Sequence, residues 1–155
     1  RRSSDLGIVD GPAKKMRRGR AAAANIVPTT TGAAVATTKA LPEYEGRFDG
    51  VAVRVPVPAG SISDITFLLE RTTTVEDVNA VLAEEAGGDR YSEVLAVTTD
   101  ELTSSDIIAQ PYASIVDLSM TKVVDGDLVK VMAWYDNEWG YVNQMVREAA
   151  RIGAS

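Results

Sequence analysis

The chain has 155 residues, 45% of them hydrophobic and 25% charged, which is the make-up of one globular domain with its own core rather than of a disordered segment. Sixteen Lys and Arg against 22 Asp and Glu give a net charge of −6, and this acidic balance disfavours nucleic acid as a partner by repulsion from phosphate. No cysteine or histidine is present, which excludes disulfides, a thiolate nucleophile, cysteine-ligated zinc and an imidazole base within these residues.

Arg1 to Leu6 shows no periodicity and reads as a foreign or disordered start. Asp10-Gly11-Pro12 signals a turn that opens a basic loop containing Lys14, Lys15, Arg17, Arg18 and Arg20. Taken alone, such a cluster is most simply a solvated surface loop. The longest uncharged stretch, Ala21 to Thr38, is interrupted by Pro28 and is too polar to span a bilayer, and no secretory signal is visible. Thr29-Thr30-Thr31-Gly32 followed by Ala33 to Ala40 predicts a helix that starts on a threonine cap.

From Asp49 the pattern changes to alternation. Val51, Val53 and Val55 share one face and Ala52 and Arg54 the other, which predicts a half-buried strand closing at Pro56-Val57-Pro58. Ser63, Ile65, Phe67 and Leu69 alternate in a second strand. Thr74 can cap a helix carrying Val75, Val78, Leu82 and Ala86 at helical spacing, with Gly87-Gly88 ending it. Two strand-like runs, Ile115 to Val124 and Leu128 to Tyr135, flank Asp125-Gly126-Asp127, and an Asp-Gly pair between apolar runs signals a hairpin. A last helix from about Glu138 carries Val142, Met145, Val146 and Ala149 on one stripe. The order of elements predicts an α+β fold, a largely antiparallel mixed sheet with helices packed on one face.

Three groups of residues have chemistry to offer. Thr31 and Gly32 stand at a helix start, where unpaired backbone N–H groups attract anions, glycine permits close approach and threonine adds a hydroxyl; an ordinary helix cap is the simpler explanation of the same pair. Arg54 carries a fork of donors that matches phosphate oxygens, although an arginine on a strand ordinarily faces water. Asn137 and Tyr141 lie at a strand-to-helix junction. The amide can recognise a carboxamide and the ring can pack on a flat heterocycle, or they form a helix cap and a core aromatic. No metal-ligand pattern and no Gly-x-Gly-x-x-Gly fingerprint occurs, so the chain carries no dinucleotide-binding half of its own.

Several motifs in sequence resemble the catalytic domain of phosphorylating glyceraldehyde-3-phosphate dehydrogenases. They are Val9-Asp10-Gly11-Pro12, Arg17-Arg18-Gly19-Arg20-Ala21-Ala22, Asn25-Ile26-Val27-Pro28-Thr29-Thr30-Thr31-Gly32-Ala33-Ala34, Leu41-Pro42-Glu43, Val53-Arg54-Val55-Pro56 and Trp134-Tyr135-Asp136-Asn137-Glu138. The resemblance covers residues 7–155 and implies a partial catalytic domain without the NAD-binding Rossmann domain. It implies that Thr31, Gly32 and Arg18 hold inorganic phosphate, that Arg54 holds the substrate phosphate, and that Asn137 and Tyr141 face the nicotinamide of NAD. The loop from about Asp10 to Ala24 is similar to the family's S-loop, which lines a cytoplasmic homotetramer.

In that family a cysteine thiolate, assisted by a histidine, attacks glyceraldehyde 3-phosphate. Hydride passes to NAD, and phosphate releases 1,3-bisphosphoglycerate, a step of glycolysis. Neither catalytic group has a counterpart here, and Arg1 to Leu6 stands where the family has a different segment. The chain is therefore expected to be inactive alone. Two alternatives remain at this point: a non-catalytic phosphate-binding or subunit-assembly module, and a fragment of an erythrose-4-phosphate dehydrogenase. Without the cofactor-binding half, Val142, Met145 and Val146 are expected to be left exposed, favouring association of the isolated chain.

Overall fold

The computed structural model describes residues 6–154, so the expectation for Arg1 to Leu6 falls, apart from Leu6, outside the described residues. Residues up to Pro58 and from Ala59 onward form two compact units. The boundary coincides with Pro56-Val57-Pro58, where two prolines withhold backbone donors and stop the strand before them.

In the first unit, β1 (Val27–Thr30) pairs antiparallel with β2 (Val51–Arg54), and α1 (Ala33–Ala40) follows β1 directly. The register sets Val27 opposite Arg54 and Thr30 opposite Val51. β1 departs from the sequence expectation, which gave Thr29 and Thr30 to a helix cap. Val27 and Thr29 are buried while Pro28 and Thr30 are exposed, an alternation spread over four residues, with a proline tolerable only because the ladder has two strands. The helix is capped by Gly32, which has no side chain to offer. Thr31 instead accepts a hydrogen bond from the Ala33 N–H through its Oγ1 at 3.1 Å. On β2 the valines do share a face, but Val51 is 78% exposed and Val53 53%, so the more covered side is that of Ala52.

The basic loop before β1 is tied down at its base. Gly11 N–H donates to the Gly19 carbonyl at 2.8 Å, and a Cβ on Gly19 would collide with the Gly11 carbonyl oxygen. The Asp10 carboxylate accepts from the Ala21 N–H at 2.7 Å and pairs with Arg20 at 3.3 Å. A 3-10 turn, Met16–Gly19, carries Arg17 and Arg18.

The second unit is built on a four-stranded mixed sheet. Its strands are β3 (Ser61–Leu68), β4 (Leu95–Thr98), β5 (Ser114–Val124) and β6 (Leu128–Tyr135), in the order β3-β6-β5-β4. Only β4 and β5 run parallel. The α+β expectation therefore holds, and β4 is an addition to it: four half-buried residues with no alternation to betray them. Val116, Val129, Val131 and Ala133 form the core, and Val78 and Leu82 of α2 (Val75–Gly87) pack against it. Each fully buried valine or leucine contributes about 1.5–3 kcal/mol over its exposed state.

Local chemistry sets the ends of these elements. Thr74 caps α2, accepting from the Asp77 N–H at 3.1 Å while its hydroxyl donates to the Asp77 carboxylate at 2.8 Å, and Gly88 ends the helix. The β5–β6 hairpin turns through Asp125 and Gly126, both with positive φ, 52° and 81°. Its tip is held by Thr73 and Leu69, whose N–H groups donate to the carbonyls of Gly126 and Asp127. α3 (Trp139–Gly153) carries the expected stripe, and Val142, Met145 and Val146 are exposed on it.

Gly126 tests this turn chemistry. A Cβ there meets the Thr72 methyl at 3.2 Å on a left-handed backbone. Gly126→Ala is expected to cost about 1 kcal/mol in urea unfolding, whereas Gly87→Ala, within α2 and with open space around it, is expected to be neutral or stabilising. Equal effects at the two positions would contradict this assignment.

Candidate functional site

The first unit holds four of the residues singled out by sequence. Arg18 donates from Nε to Thr29 Oγ1 and from a terminal nitrogen to Thr30 Oγ1, both at 2.8 Å. Its guanidinium is thereby fixed on β1, one residue before Thr31. The grip by Thr29 and Thr30 was not foreseen, because a run of three threonines does not reveal which hydroxyl faces the loop. Gly32 is exposed at the start of α1, where the Ala36 N–H begins the helical ladder by donating to the Gly32 carbonyl. Arg54 is exposed at the end of β2, opposite Val27 and on the ladder face of Thr29 and Ala52. Arg18, Thr31 and Gly32 thus lie where β1 runs into α1, while Arg54 stands on β2 at the other end of the ladder. Paired donors on guanidinium groups and the partial positive charge of the helix start are suited to oxyanions.

The second unit holds Asn137 and Tyr141. Both ordinary alternatives for this pair fail: Tyr141 is 64% exposed, not a core aromatic, and the capping side chain is the neighbouring Asp136. One oxygen of the Asp136 carboxylate accepts from the N–H groups of Glu138 and Trp139 at 2.9 and 2.8 Å. The other accepts from the Ala109 N–H at 2.9 Å. The Asp136 carbonyl accepts from the Gly140 N–H, so helical bonding starts a turn before Trp139 and Asp136 is the effective cap.

Asp136 is only 7% exposed. Burial pulls its carboxyl upward, but the backbone donors of Ala109, Trp139 and Glu138 outweigh burial and hold it below the usual carboxylate value. Sequence reading passed over Asp136 although its signal was present: an aspartate followed after two residues by a helix is a capping pattern. Ala109 lies in the left-handed region at φ 65°, a costly conformation for a residue with a Cβ. At Gly140, a Cβ would approach the Tyr112 carbonyl oxygen to 2.6 Å. The segment around residues 109–112 and the β6–α3 corner therefore meet backbone to backbone, with Asn137 exposed on that corner.

Among the described residues no cluster suits a metal ion, and no helix is long and apolar enough to cross a membrane.

Replacing Asp136 by Asn removes the charge and half of the acceptor capacity, with an expected cost of about 1–3 kcal/mol. The native carboxyl titrates lower than the unfolded one. Its contribution is therefore complete above about pH 4 and lost as pH falls through the native value. In urea unfolding, the gap between the original chain and Asp136→Asn is expected to narrow below pH 4; a gap independent of pH would contradict the clamp.

The sequence profile of the glyceraldehyde 3-phosphate dehydrogenase C-terminal domain matches residues 1–137. Proteins named glyceraldehyde-3-phosphate dehydrogenase align along nearly the whole chain. The one from Haloarcula vallismortis is 50% identical over 145 residues, covering 94% of this chain and 43% of that protein. The one from Mycobacterium avium is 46% identical over 153 residues, covering 99% and 44%. The one from Streptomyces coelicolor is 46% identical over 151 residues, covering 97% and 45%. The chain thus spans less than half the length of each of these relatives. With the α+β sheet, the motif order and these alignments in agreement, the chain belongs to the glyceraldehyde 3-phosphate dehydrogenase C-terminal domain family.

Proposed function

We propose that this chain supplies the phosphate-binding and nicotinamide-facing groups of an NAD-dependent dehydrogenase. The reaction is conversion of glyceraldehyde 3-phosphate and inorganic phosphate to 1,3-bisphosphoglycerate in glycolysis, and these 155 residues are inactive alone. The observation that carries this reading is the grouping of Arg18, Thr31 and Gly32 where β1 runs into α1, with Arg54 exposed on the paired strand β2. Such a set has little use for an apolar ligand and several uses for phosphate. Residues 7–155 are taken as a partial catalytic domain, with the loop from about 10 to 24 in the place of the S-loop.

In this reading Thr31, Gly32 and Arg18 hold the attacking inorganic phosphate, while Arg54 anchors the phosphate of the aldehyde. Holding both anions against diffusion turns an encounter into a positioned reaction. Asn137 offers an exposed amide, whose donor and acceptor complement a carboxamide, and the exposed Tyr141 ring stands one helical turn on. NAD, when bound, accepts the hydride. The thiolate and the base have no source in this chain, which lacks cysteine and histidine, and must come from residues outside it. The parent enzyme is read as a cytoplasmic homotetramer. The exposure of Met16 in the loop, at 92%, and of Ile8 and Val9 just before it, at 79% and 74%, supports a role of this segment in assembly, since exposed apolar side chains favour a protein contact. The names of the relatives favour the three-carbon substrate over erythrose 4-phosphate.

Kinetics on the complete enzyme carrying this domain test the reading. Loss of a charge-assisted hydrogen bond of about 1.5–3 kcal/mol in Arg54→Gln is expected to raise KM for the aldehyde about 10- to 100-fold. KM for NAD should change less than about threefold, a shift under 1 kcal/mol. Thr31→Val is expected to act on KM for inorganic phosphate instead. The isolated 155-residue chain, given all three substrates, should form no NADH. NADH formation by that chain, or an Arg54→Gln variant with ordinary aldehyde KM, would overturn the assignment.

A further inference from the structure

We infer that Asp136 is a positioning residue for cofactor recognition, acting through Asn137; the inference rests on the reading of Asn137 given above. Asn137 is exposed on the corner, so the direction of its amide depends on the backbone that presents it. That direction follows from the backbone on either side of it. On one side is Asp136 itself; on the other are Glu138 and Trp139, whose N–H groups both end on one Asp136 oxygen. The short loop that presents Asn137 is thus closed by a carboxylate at its first residue.

The second oxygen gives this arrangement a reach that an ordinary cap lacks. It accepts from the Ala109 N–H, 27 residues earlier in the chain, and so fixes the corner against the segment that precedes β5. Ala109 holds a left-handed backbone, φ 65°, without being glycine. Such a conformation persists only where its surroundings enforce it. The close approach of Gly140 to the Tyr112 carbonyl, where any side chain would intrude, brings the same two segments together a second time. A helix cap needs neither. One hydrogen bond to a strained residue and one close backbone approach across the corner restrict rotation of the peptide groups around Asn137, which is what a single amide aimed at a planar carboxamide requires. Displacement of an orienting group by as little as about 1 Å is enough to lose such a hydrogen bond.

The test uses the complete enzyme carrying this domain, with NAD and with its 3-acetylpyridine analogue, which replaces the carboxamide NH2 by methyl. The original enzyme should favour NAD over the analogue in KM by about tenfold, equivalent to about 1.4 kcal/mol. In both Asn137→Ala and Asp136→Asn this preference is expected to fall to near unity, with KM for the aldehyde changed less than about twofold, that is by well under 1 kcal/mol. The double variant should be no worse than Asn137→Ala, because the two residues act through one contact. Asp136→Ser, which keeps one capping oxygen and gives up the Ala109 contact, is the variant to use where Asp136→Asn fails to fold, and should reduce the preference in the same direction. Intact discrimination in a folded Asp136 variant, beside lost discrimination in Asn137→Ala, would overturn the positioning role alone. Intact discrimination in Asn137→Ala would overturn the nicotinamide reading of that residue and the positioning role with it.

Discussion

One buried carboxylate organises the end of the second unit. Asp136 accepts three backbone N–H donors, from Ala109, Glu138 and Trp139, and is almost fully covered. A buried carboxylate without partners would be protonated or expelled. With three donors it stays ionised, its pKa lowered despite burial. It joins the last strand, the last helix and a loop far back in sequence. The core valines hold the sheet together, but they do not determine where Asn137 points. The local geometry at the strand-to-helix junction depends on Asp136.

The first unit uses the same device on a more exposed scale. Asp10 accepts the Ala21 N–H and pairs with Arg20, closing the basic loop at its base. The backbone bond to Ala21 does most to lower its carboxyl, desolvation opposes it, and Arg20 adds to the lowering. Within the loop, Arg18 reaches β1 through the two threonine hydroxyls. In each unit a polar side chain, not apolar packing, brings a loop to the residues suited to ligand binding. Polar anchoring leaves the binding atoms accessible to solvent, which an apolar clamp over the same residues would not.

What could be read from the sequence follows the range of the interactions involved. The Asp125-Gly126 turn and the Thr74-to-Gly88 helix are specified by neighbours in the chain, and both stand as expected. β1 and β4 have four residues each, and their partners are non-local, so no periodicity announces them. Val51 and Val53 do share a face of β2, which ends before Val55, yet alternation shows which residues share a face and not which face is covered. Arg54, Thr31 and Gly32 could be singled out from residue type alone, as groups whose chemistry suits an anion. The role of Asp136 was less so. Half of it is a capping pattern within three residues, but the other half depends on an amide 27 residues away. The stripe of Val142, Met145 and Val146 was legible from helical spacing, and all three are exposed.

Hydrogen exchange by NMR, read amide by amide on the chain near neutral pH, tests the central interaction most directly. The N–H groups of Ala109, Glu138 and Trp139 should be protected, exchange together and lose protection together as Asp136 is protonated at low pH. Free exchange of Ala109 at neutral pH, alongside protected core strands, would show that the carboxylate does not hold the corner.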